Sequence, residues 1–181
     1  MEAVSGRIVA AGFIACALLS GSAARADLLP GTGFTVAGWD GAARGRADGG
    51  FSYCVVRHAY PNGVELSLAR SPEGLFFIGL KNPSWSLRKG EAAKAEVAID
   101  DAAGPEAAAS AISSDTVLFT LPPRDAAFYA SHLAEGNRLT VADLSITPQQ
   151  AAWRFDLAGV RDALGALDRC VAAHGVTAAT Q

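Results

Sequence analysis

Between residues 34 and 121 the apolar positions recur mainly at every second residue, in short runs broken by Gly, Pro, Asn and charged side chains. That period predicts strands rather than helices. Bulky and small residues alternate over 34–39. Residues 40–50 (DGAARGRADGG) are dense in Gly and charge and predict an exposed loop. A strand over 52–60 carries Cys54. The turn Pro61, Asn62, Gly63 follows, in which proline fixes φ and the Asn-Gly pair accepts positive φ. The hairpin partner over 64–69 sets Val64, Leu66 and Leu68 on one face. After a second turn at 71–74, the run 75–80 (LFFIGL) reads as a buried strand, ended by Lys81, Asn82 and Pro83. Trp85 and Leu87 alternate through a short strand, and 93–100 places Ala95, Val97 and Ile99 on one face. Residues 101–105 turn the chain. The stretch 107–112 is ambiguous, because its alanines favour a helix and its position between strands favours a strand. Residues 116–121 (TVLFTL) are a clear strand.

The period changes in the C-terminal half. A helix is predicted over 124–135, after Pro122 and Pro123, with Asp125 in its first turn and Gly136 just past its end. Strands return over 139–146 and 151–155. A last helix runs over 160–174 with the apolar stripe Val160, Leu164, Leu167 and Val171. Gly159 stands at its N-cap, Asp162 favours the positive end of its dipole, and Gly175 takes the C′ position. There is no internal repeat and no βαβ alternation. The predicted class is α+β: mainly an antiparallel sheet or sandwich, with two helices in the C-terminal half.

The opening residues have a different character. Arg7 precedes the apolar run 8–19, and small residues lead to Ala24, Arg25 and Ala26, an A-x-A site. These are the three parts of a secretory signal peptide, with cleavage expected after Ala26. The run is shorter than the roughly 20 residues of a membrane span. Cys16 does not sit in a good lipoprotein box. Residues 27–181 are then a single β-rich domain, exported to the periplasm, with no further membrane span.

Composition removes some functions. The 181 residues carry 15 Lys+Arg against 18 Asp+Glu, a net charge of −3, so there is no cationic excess for nucleic acid. The cysteines Cys54 and Cys170, met in an oxidising compartment, permit one intramolecular pairing, which would tether the last helix to the sheet. Neither a P-loop, a G-x-S-x-G elbow, an H-E-x-x-H nor a C-x-x-C motif occurs. His58, His132 and His174 are scattered: His58 on a strand, His132 on the first helix, His174 where a cation suits the end of the last helix. Asp100, Asp101 and Glu106 could offer oxygens to Ca²⁺, but their spacing is that of turn-capping residues rather than an EF-hand. No cofactor or metal site is predicted. Candidate partner-binding residues are Trp85 and Asn82, in a loop that could meet a partner, and Arg44 and Arg46, in the Gly-rich, charged segment 40–50. Core packing for Trp85 and simple solvation for the arginines are the competing readings.

The ending Phe155-x-Leu157-x-Gly159-x3-Ala163-Leu164-x2-Leu167-x2-Cys170, with Trp39 and Cys54 upstream, resembles small periplasmic proteins of the invasion-associated locus B family. The resemblance implies a non-enzymatic envelope protein that acts through protein contacts, and it transfers no catalytic residue. The expected function is a binding or accessory module, such as an inhibitor or scaffold of an envelope enzyme like a peptidoglycan hydrolase. The alternatives are a binder of small molecules or glycans in a cavity between sheet and helices, and an enzyme whose site assembles in space.

Overall fold

A computed structural model describes residues 27–100, 102–104, 108–147 and 152–175. Residues 1–26, where the signal peptide is expected, Asp101, Glu106 and residues 176–181 lie outside the described residues. The strands are β1 (Asp27–Leu28), β2 (Phe34–Val36), β3 (Trp39–Gly45), β4 (Phe51–Ala59), β5 (Glu65–Arg70), β6 (Phe76–Lys81), β7 (Ala92–Ala93), β8 (Glu96–Ile99), β9 (Ala102–Ala103), β10 (Ala108–Ala111), β11 (Thr116–Leu121), β12 (Arg138–Ala142) and β13 (Trp153–Asp156). Helix α1 spans Pro123–Glu135 and α2 spans Val160–Gly175.

The strands form two antiparallel sheets. The main sheet runs β1-β3-β4-β5-β6-β11-β10-β7, with β2 pairing the same edge of β3 as β1; the small sheet runs β13-β12-β8-β9. On the main sheet Trp39, Cys54, Val56, Leu66, Leu68, Phe76, Ile78 and Phe119 point inward and are buried. They meet Leu139, Val141 and Phe155 of the small sheet, Tyr129 and Leu133 of α1, and Leu164 and Leu167 of α2 in one core. This is the predicted α+β class.

Two ties hold α2 to the sheet, and a third holds the segment that leads into it. Cys170 is disulfide-bonded to Cys54 on β4, with Cα atoms 6.1 Å apart. Arg70 on β5 pairs with Asp168. The Trp39 indole donates to the Ala158 carbonyl, 3.3 Å away. Beside them Trp39, His58, Tyr60 and Phe155 form an aromatic ladder with centroid spacings of 5.4, 4.7 and 5.1 Å.

Several elements differ from the sequence expectation, each for a physical reason. Residues 40–50 are not all loop, because Asp40–Gly45 belongs to β3, whose neighbours lie on both sides. Its small residues suit close packing: the Phe34 ring occupies the space a Cβ on Gly41 would need. The stretch 85–87 is not a strand; the Leu87 amide donates instead to the Ser114 carbonyl (2.8 Å) in an irregular segment. The predicted strand 93–100 divides, giving β7 to the main sheet and β8 to the small one. Residues 108–111 resolve as the strand β10, paired on both edges.

Two tyrosine hydroxyls make the fold sensitive to alkali. Burial, with the nearby Asp156 charge, pushes Tyr60 up to about 12, and burial with Asp125 does the same to Tyr129. An unfolded tyrosine ionises near pH ~10. The folded state therefore holds both protons more tightly, and its advantage is complete below pH ~10 and is lost as pH rises from there through about 12. The melting temperature should fall across that window, and Tyr60→Phe should flatten the fall. An unchanged slope in that variant would show that Tyr60 is not a source of it.

Candidate functional surface

The two faces of the main sheet are built differently. The helices and the small sheet occupy the inner face. The outer face carries side chains that are only half-buried, among them Tyr53, Val55, Phe77 and Leu118. Solvated faces of antiparallel sheets normally present polar residues. Here an apolar row crosses four strands: Ala42 lies opposite Val55, Val55 opposite Ala69, and Ala69 opposite Phe77. The Tyr53 and Phe77 rings approach to 6.4 Å over the small Ala69 between them. At Gly79 the Ser67 hydroxyl takes the position of the missing Cβ, and a Leu118 methyl lies 3.5 Å from it. The row is thus continuous across the four strands, with Ala42 and Ala69 buried beneath the larger side chains around them.

Charge borders this row. Arg44 lies beside Tyr53, and Arg57 lies opposite Asp40. Asp40 accepts a hydrogen bond from the Thr35 hydroxyl at 2.9 Å. At the far side Lys81 pairs with Asp115 at 3.7 Å. Neither Arg44 nor Arg57 is in an ion pair with a described residue. An apolar strip rimmed by uncommitted guanidinium groups is the composition of a protein-contact patch.

The candidates from sequence divide between this surface and the core. Arg44 is on the outer face. Arg46 is at the end of the β3–β4 hairpin, held to Asp48 at 3.4 Å, with both side chains exposed. Trp85 and Asn82 require correction. Trp85 is 6% exposed and packs edge-on to Trp153 with centroids 5.7 Å apart. Asn82 is buried, and its Oδ1 accepts from the Ser84 amide (2.9 Å) and hydroxyl (2.8 Å). Burying two indoles together outweighs displaying one, so Trp85 and Asn82 anchor this segment inward while Pro83, Ser84 and Ser86 stay exposed. Sequence reasoning missed Val55, Phe77 and Leu118. The available signal was the pairs Val55-Val56 and Phe76-Phe77, which put apolar groups on both faces of their strands.

The other candidate groups have structural partners. His58 donates from Nδ1 to the Gly38 carbonyl at 2.7 Å. His132 stacks on Phe128 at 3.9 Å and bonds its carbonyl. The His174 ring packs against Phe51. Asp100, at a positive φ of 51°, accepts from the backbone amides of Asn137 and Arg138 at 3.0–3.2 Å. That is the capping role its position suggested.

The architecture defines a class: a two-sheet α+β domain whose C-terminal helix is stapled to the main sheet by one disulfide. It is similar to the crystal structure of invasion associated protein B from Bartonella henselae, with a TM-score of 0.51 and 17% sequence identity, over 79% of this chain and 98% of that chain. At this identity the likeness is one of fold. No family model and no curated protein matches the chain.

Proposed function

We propose that the protein is an exported, periplasmic, non-enzymatic module that binds another envelope protein through the outer face of its main sheet. The observation that carries this reading is the Tyr53–Val55–Phe77–Leu118 strip, left half-buried between Arg44 and Arg57. Apolar surface on a sheet face that the described helices and small sheet leave uncovered is where a partner's side chains could complete the burial. The Cys54–Cys170 bridge supports export, since such bonds persist in oxidising compartments. Among the described residues no helix is long and apolar enough to cross a membrane. The invasion-associated name of the Bartonella protein supports an envelope setting.

Inhibition or scaffolding of an envelope enzyme, such as a peptidoglycan hydrolase, is the specific role proposed. A rigid sheet face suits it, because little ordering entropy is lost on docking. The test adds purified protein to an envelope extract and follows hydrolysis of isolated peptidoglycan. Wild-type protein should change the rate, and Val55→Arg, which sets a charge in the middle of the strip, should weaken that effect by about tenfold or more. Equal effects from wild type and variant would remove the outer face from the function.

A further inference from the structure

A second surface lies at the other edge of the same sheet. The β2–β3 turn consists of Ala37 and Gly38, at φ 47° and 82°. Two successive positive φ values make a two-residue type I′ turn. Val36 and Trp39, which flank it, then exchange both backbone hydrogen bonds. The next pair, Thr35 opposite Asp40, is a non-hydrogen-bonded pair. The N–H and C=O of Thr35 therefore point away from β3, toward the outer edge of β2. Among the described strands β2 pairs only with β3.

That edge is one wall of a groove of about 500 Å³, and α2 is the other. Phe34 and Val36 supply apolar surface from β2, and Ala166, Cys170 and His174 form one stripe along α2. The stripe is about 12 Å long at the helical rise of ~1.5 Å per residue. An extended chain covers that length with three to four residues at ~3.3 Å each. Arg169 stands beside the stripe and is in no ion pair with a described residue. Both walls are fixed in advance. The Cys54–Cys170 bond holds α2. On the other side the Thr32 hydroxyl donates to the Leu29 carbonyl (2.7 Å) and accepts from the Ala43 amide (3.2 Å), which sets the loop leading into β2.

We propose that this groove receives an extended peptide segment of a partner protein, added as a strand to the free edge of β2, with a carboxylate of the peptide on Arg169. Strand addition suits the geometry: the Thr35 groups give the ladder bonds, the apolar walls take alternate side chains, and the guanidinium fixes the acidic end. This inference rests on the reading that the protein works through protein contacts, and it adds what kind of segment is recognised.

The test selects random heptapeptides with free C-termini on the oxidised protein, then titrates an enriched peptide into nitrogen-15-labelled protein. Enriched peptides should shift the Thr35 amide, lose affinity about tenfold or more when their carboxylates are converted to amides, and bind Arg169→Glu about tenfold or more weakly. Their affinity for Val55→Arg should be unchanged. Absence of enrichment, or binding indifferent to Arg169→Glu, overturns the proposal. Binding lost in Val55→Arg and kept in Arg169→Glu places the peptide on the outer face; the groove assignment then fails while the contact reading stands. Dodecanoate is the second probe. If it shifts Thr35 and no peptide does, the groove takes an acyl anion, and the peptide assignment is wrong.

Discussion

Replacing Cys54 and Cys170 together by alanine is expected to cost about 4–5 kcal/mol of stability. The bond joins residues 116 apart in sequence, so it removes a large closure entropy from the unfolded chain. Both cysteines are at least nine-tenths buried, and alanine leaves no unsatisfied polar atom in their place. Denaturant unfolding of wild type, double variant and reduced wild type measures the effect. The variant and the reduced protein should agree, and hydrogen exchange should show α2 losing protection before β4–β6. A loss below about 1 kcal/mol would mean that packing and the Arg70–Asp168 pair hold the helix unaided.

Gly159→Ala is expected to cost about 3 kcal/mol, because two penalties add. Gly159 sits at φ 77°, where a Cβ costs about 1–2 kcal/mol. That Cβ would also stand 2.5 Å from the Ala37 carbonyl oxygen and 2.8 Å from the Ala37 Cβ. Neither atom is the end of a flexible side chain, so the turn ahead of β3 must move, at a further cost of about 1–3 kcal/mol. Gly49→Ala separates the two terms. It shares the positive φ, at 82°, with nothing within 4 Å of its Cβ position, and should lose only the conformational part. Equal losses at the two sites would show that the contact with Ala37 is relaxed at no cost.

The strand β11 and the helix α2 were legible because each obeys one period over its whole length. Gly159 was legible as the helix start, and the Ala163 amide does donate to its carbonyl at 3.0 Å. What sequence alone could not supply was context. The segment 40–45 looks like loop because Gly41, Ala42 and Ala43 have weak strand preference. Pairing on both edges, and the fit of Phe34 over Gly41, make it a strand. For Trp85 both display and core packing were open, because its flanking residues are turn formers and the indole it packs against is 68 positions away at Trp153. The outer face was hidden for a related reason. LFFIGL signals apolar groups on both faces of β6, but not that the described helices and small sheet would cover only one of them. That became visible only when both helices and the small sheet were found on the side of Cys54.

The central claim is that the outer face of the main sheet meets another protein. Site-specific photocrosslinking tests it most directly, with a benzophenone side chain placed at Val55 and, as control, at Ala172 on the exposed side of α2. Irradiated in the intact envelope, the Val55 probe should yield one dominant adduct with a single protein species, and the Ala172 probe should not. Adducts formed equally from both positions, or none from Val55, would contradict the assignment of that face.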